Sequence, residues 1–280
     1  MSFDFFTFGG SLFWEDVFFY QKWRIQRHCF TKRYRLLDSW DIRRACGTFE
    51  KCQKAFIKYM DCYEITKQNS HMVILVHGYM DGKNIFKNLW RKLILTNSTV
   101  AAINYPSMFR NALSNSYQLL FFLNHMEDIE EVSFVTKGSG NLVLRKMLNL
   151  PIELQTFREN VRIRNIVEIN PVIKGNLLCD LLNKFRIFNF ILGPTIKDMT
   201  EQQIKNLPSI PNEIKSLKIF SESKTQAFLI KLLKLCKFPM EDSIKNNKKD
   251  SIVIKERPFD VLSNDSVLNN TVKFINNGKI

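Results

Sequence analysis

From residue 71 onward, short continuous apolar runs alternate with longer segments whose apolar positions recur at helical spacing. Met72–Val76 is a short continuous apolar run, as a strand buried on both faces of a parallel sheet should be. Val100–Ile103, Val132–Val135, Ile166–Ile169, Ser216–Phe220 and Ser251–Ile254 read as the further strands. Between them, the spacing predicts helices over about 84–95 and 115–126, the second with Leu119, Leu120, Leu123 and Met126 on one face. Six strands with intervening helices predict an α/β chain with a doubly wound, mostly parallel sheet over 71–280.

Residues 1–70 read differently. Trp14, Phe18, Phe19 and Trp23 recur at helix-like intervals, predicting a helix from about Trp14 to Arg27. A second is expected from about Thr48 to Met60, with the stripe Phe49, Cys52, Phe56 and Met60. So many large apolar groups are expected to pack on the main domain as an N-terminal extension. Two helical insertions are expected in the sheet domain, at about 174–210 and 225–249. The first carries Leu177, Leu178, Leu181, Leu182 and Phe185. The second contains FLIKLLKLCK (228–237), whose Lys231, Lys234 and Lys237 share one helix face, as on a lid or an interfacial helix.

Composition narrows the partners. The formal net charge is +14, dispersed over the chain and without a helix-turn-helix, zinc-finger or RNA-binding signature. Nucleic acid is therefore not the expected partner, and an anionic membrane surface is favoured over it. The aromatic N-terminus is interrupted by Asp4, Glu15 and Asp16, so no membrane span is predicted there. The six cysteines show no C-x-x-C spacing and read as reduced thiols of a cytoplasmic protein. No His/Cys/Asp cluster has ligand spacing, so no metal or cofactor is expected.

The candidate chemistry centres on VSFVTKGSGNLVLR (132–145): an apolar strand, a turn of Gly138, Ser139 and Gly140, then a helix. With VILVHGY (73–79), INYPS (103–107), VSFVTKGSGNLVLRKML (132–148) and INPVIKGNLLCD (169–180), it resembles the bacterial lipase/esterase-like branch of the α/β-hydrolase superfamily. The likeness extends to KDSIVI (249–254) and VLNNTVKFINNGKI (267–280), and covers roughly 70–280. It implies a nucleophile elbow of the form T-H-S-x-G-G, with Thr136, Lys137 and Gly138 at the first three positions and Asn141 at the second glycine. A serine at the tip would need small residues two before and two after it. Thr136 and Gly140 meet this for Gly138; Lys137 and Asn141 do not meet it for Ser139. The nucleophile position is thus expected to hold Gly138.

A serine hydrolase also needs a histidine, a carboxylate and two backbone N–H donors. The histidines are His28, His71, His77 and His125, all ahead of the turn. The resemblance places the missing one near Pro258, where Arg257, Phe259 and Asp260 cannot serve as a neutral base. It assigns the acid to Asp250 and the oxyanion-hole N–H groups to Tyr79 and Ser139. Three functions follow as expectations: a silent hydrolase fold that binds a lipid, an acyl ligand or a protein; a surviving esterase using Ser139 with a displaced base such as His77; or a peripheral membrane module.

Overall fold

The computed structural model describes residues 13–175, 177–184, 186–221, 251–254 and 260–279. The segment 225–249, Asp250 and Pro258 lie outside them.

The chain enters the structure as strands, which corrects the helix expected over Trp14–Arg27. β1 (Trp14–Tyr20) and β2 (Trp23–His28) form an antiparallel hairpin, continued by β3 (Tyr34–Leu37) and β4 (Arg43–Gly47) into a four-stranded sheet. Tyr20 pairs with Trp23 across a two-residue turn, and both turn residues, Gln21 (φ +46°) and Lys22 (φ +72°), are left-handed. Such turns match the twist of a hairpin. Val17, Phe18, Phe19 and Tyr20 are buried in succession because β1 is covered on both faces: Phe18 packs on Phe56, and Phe19 joins the core of the large sheet. α1 (Phe49–Cys62) forms where expected, capped by Thr48 Oγ1, which accepts from Lys51 N at 3.3 Å, and it buries Phe49, Cys52 and Phe56.

The six expected parallel strands are all present: β5 (His71–Val76), β6 (Thr99–Ile103), β7 (Glu131–Lys137), β8 (Arg162–Ile169), β9 (Lys215–Ser221) and β10 (Ser251–Ile254). Their order is β10-β9-β8-β7-β5-β6, with every pair parallel. α2 (Lys87–Leu93) covers one face, while α3 (Ala112–Asn124) and α4 (Gly140–Leu148) cover the other. Between β8 and β9 the insertion folds as four short helices: α5 (Leu177–Asn183), α6 (Arg186–Leu192), α7 (Thr195–Asp198) and α8 (Glu201–Lys205). α9 (Asp265–Asn277) closes the chain on the α2 face.

The insertion is tied to the loop after β6. Thr195 Oγ1 donates to Ser107 O (2.6 Å) and Arg110 O (2.8 Å), and Asp198 accepts from Ala112 N (2.6 Å) and Lys146 Nζ (3.0 Å). The N-terminal sheet meets the same loop. Asp16 and Asn104 exchange two hydrogen bonds, at 2.9 and 2.6 Å, and Glu15 pairs with Arg27 and with Arg110, the latter at 2.6 Å. Among the described residues, no helix is long and apolar enough to cross a membrane.

Candidate functional site

β7 delivers the chain from the sheet into α4 through one sharp turn. Gly138 sits at its tip with φ +53°, in the left-handed region that side chains adopt only under strain. Ser139 follows in ordinary helical backbone (φ −68°, ψ −6°) as the residue ahead of α4. The strained tip is therefore Gly138, and Ser139 belongs to the helix start. Crowding two residues on is severe: a Cβ on Gly140 would lie 2.6 Å from both Val76 O and His77 O. Thr136, two residues before the tip, is fully buried. The tip itself is open, since a Cβ on Gly138 would meet only Gly78 Cα, at 4.0 Å. A six-stranded parallel sheet wound on both faces, with this turn leaving a central strand and an insertion beside it, decides the architecture.

The fold is that of the α/β-hydrolases.

No family model and no curated protein matches the sequence. Similar solved structures include a metagenomic carboxyl esterase (10% identity, TM-score 0.46, 62% of this chain and 58% of that one). Polyneuridine aldehyde esterase is 15% identical, with a TM-score of 0.44 over 75% of this chain and 100% of that one. The lin2722 product of Listeria innocua is 12% identical, with a TM-score of 0.49 over 75% and 96%. The chain thus spans little more than half of the metagenomic esterase. At such identities and TM-scores the likeness says nothing of activity.

In this α/β-hydrolase fold, the loop after β5 lies against the turn. The position of a Cβ on Gly78 is 3.6 Å from Ser139 N and 3.0 Å from Lys137 O. Among the described residues, no acceptor takes the Ser139 or Tyr79 N–H, the two expected oxyanion donors. The Tyr79 hydroxyl donates to Leu192 O, joining this loop to α6. Lys137 Nζ bonds Asp81 Oδ2 at 3.0 Å, with the two side chains only 12% and 25% exposed. The side chain beside the tip is thus an ammonium held by a carboxylate, a pair that cannot act as base toward Ser139 while it stays closed.

His77 has a structural part in the loop. It is fully buried and stacked on Tyr105 with ring centroids 4.2 Å apart. Its Nδ1–H donates to Gly78 O at 2.8 Å, and its carbonyl accepts from the Tyr105 hydroxyl. Burial lowers its pKa from 6.5 to about 4. The unfolded chain therefore takes up this proton first, so His77 favours the fold fully above pH 6.5 and this stability is lost as pH falls toward 4. At about 1.4 kcal/mol per unit, the loss amounts to about 3 kcal/mol. The urea midpoint of the wild type should fall more steeply between pH 6.5 and 5 than that of His77→Gln; parallel profiles would refute the assignment.

None of the four histidines hydrogen-bonds Ser139 among the described residues. His71 lies between Ser98 Oγ (2.8 Å) and Ser133 Oγ (2.9 Å), His125 Nδ1 donates to Phe121 O (2.8 Å), and His28 Nδ1 accepts from Thr31 N (3.1 Å). Asp250 lies outside the described residues. Asp260 is exposed.

A second polar cluster, at the start of α4, left no signal in the sequence. Asn141, expected only as a bulky departure from glycine, donates to Glu168 Oε1 and Val172 O, both at 3.4 Å. Burial raises the Glu168 pKa, and its Oε2 and the neighbouring Thr136 Oγ1 have no partner among the described residues. Two cavities lie elsewhere. One, of about 720 Å³, is lined by Ser70, Leu123, Met126, Ile129 and Phe157; the other, of about 390 Å³, lies at the N-terminal sheet. Neither is lined by any residue of the β7–α4 turn.

Proposed function

We propose that this chain is a catalytically silent α/β-hydrolase that acts by binding. The observation that carries the reading is the tip of the β7–α4 turn, where Gly138, with φ +53°, stands at the place of the nucleophile in a nucleophile elbow. The absence of any histidine after His125 supports it independently, because a serine nucleophile needs a base. Asp250 would then be a remnant of the acid position, and the Tyr79 and Ser139 N–H groups a remnant of the oxyanion hole.

The ligand class we favour is a lipid or acyl chain, with a protein partner as the alternative. The basic charge of +14 supports a cytoplasmic protein working near anionic membrane surfaces. The purified protein should show no labelling by a fluorophosphonate probe. Its turnover of short-chain p-nitrophenyl esters should equal that of Ser139→Ala. Labelling of Ser139 with turnover abolished in Ser139→Ala would overturn the reading and establish an esterase. Native mass spectrometry of freshly purified protein is expected to detect a retained lipid or acyl adduct.

A further inference from the structure

The groove of about 390 Å³ at the N-terminal sheet is lined by no residue of the β7–α4 turn. Trp23, Trp40, Tyr63, Arg44, Glu64 and Thr66 contribute to its lining. Trp23 is 6% exposed, whereas Trp40 and Tyr63 are 82% and 59% exposed. The Trp23 and Tyr63 ring centroids are 6.2 Å apart, and Trp23 also packs on Tyr59 at 5.3 Å.

The outermost ring stands on a fixed turn. Asp38, only 3% exposed, accepts from Trp40 N and Ile42 N, both at 2.9 Å, through Oδ1. Its Oδ2 takes the Arg44 guanidinium at 2.7 Å. One buried carboxylate thereby sets the backbone at Trp40 and neutralises the cation of the groove.

The remaining electrostatics are negative. The 14-residue helix α1 ends at Tyr63 with no basic side chain in its last turn, so the negative end of its dipole is uncompensated there. Glu64 follows with φ +47°, a left-handed conformation that the Ile65 N to Met60 O hydrogen bond (3.1 Å) holds in place. Glu64 is exposed and makes no ion pair among the described residues. A chain of net charge +14 thus presents aromatic faces, a helix carboxyl end and a free carboxylate in one groove.

We infer that this groove binds an organic ammonium cation, with Trp40, Tyr63 and Trp23 supplying ring faces and Glu64 the counter-charge. Aromatic faces attract cations whose alkyl groups leave little hydration to lose. The inference is independent of whether the β7–α4 turn retains chemistry.

The test is a titration of the full chain with choline chloride at constant ionic strength, followed by tryptophan fluorescence and calorimetry. The neutral carbon isostere 3,3-dimethylbutan-1-ol serves as the control. Choline should saturate and the isostere should bind at least about fivefold more weakly. Trp40→Ala should weaken choline binding about tenfold, Trp40→Phe should restore most of it, and Glu64→Gln should weaken it about threefold. These side chains are exposed, so circular dichroism should show unchanged folds.

Equal binding of the isostere, no saturation by choline, or full binding by Trp40→Ala would each overturn the inference. Sedimentation with phosphatidylcholine vesicles, lost in Trp40→Ala, would assign the cation to a lipid headgroup. Free-choline binding without vesicle binding would assign it to a soluble ion.

Discussion

Replacing Gly140 with alanine is expected to destabilise the protein by about 3 kcal/mol, at the upper end of the cost of overpacking a tight interior. The added methyl would lie 2.6 Å from two carbonyl oxygens, Val76 O and His77 O, which belong to the end of a central strand and the loop that follows it. No flexible side chain can move aside there, so either α4 or the β5 loop must shift. The shift would separate Ser139 N, one of the two N–H groups proposed as a remnant of an oxyanion hole, from Gly78. Gly138→Ala is the matched control. Its methyl enters open space, so only the left-handed backbone is strained, at about 1–2 kcal/mol. Urea unfolding of the two variants beside wild type checks the order. Equal losses would show that the turn is not packed as described.

A comparably large loss is expected from Glu15→Ala. The Glu15 side chain is fully buried, and its partners Arg27 and Arg110 are only 22% and 14% exposed. Removing the carboxylate leaves two guanidinium groups in a poorly hydrated site, at a cost of about 3–5 kcal/mol. The damage should reach the insertion, because Thr195 Oγ1 is anchored on Arg110 O at 2.8 Å. Limited proteolysis should therefore cut the α5–α8 region faster in Glu15→Ala, alongside the lower urea midpoint. Replacing Glu15, Arg27 and Arg110 together with apolar residues of similar volume should recover most of the stability, since the triad's desolvation cost disappears with its charges. A single variant with wild-type stability would refute this account.

The parallel sheet was legible because strands buried on both faces must be apolar at successive positions. His71–Val76 is buried at every residue, and the hydrophobic run marks it almost to the residue. α1 was legible through its stripe, three of whose residues, Phe49, Cys52 and Phe56, are buried. The N-terminal hairpin was not. Burial of both β1 faces erased the alternation of a half-exposed strand, and the Gln21–Lys22 turn lacks the glycine or asparagine that marks a left-handed pair. Spacing alone then mimicked a helix.

The glycine at the tip was legible from steric demands on its neighbours, and φ +53° at Gly138 fits that reading. The side chains around it were not, because their partners come from distant sequence. Lys137 meets Asp81 across 56 positions, and Asn141 meets Glu168 across 27. The aromatic groove likewise joins Trp23 at the start of β2, Trp40 in the β3–β4 turn and Tyr63 at the end of α1.

The sequence by itself determined the strand-by-strand plan of the sheet domain and a glycine at the tip of the β7–α4 turn, since both depend on local burial and local crowding. Only the tertiary structure decided that the N-terminus is a sheet, that His77 is enclosed by Tyr105, and that Lys137 is engaged by Asp81. Those outcomes depend on which distant groups share a dry space, and periodicity along one chain carries no record of that.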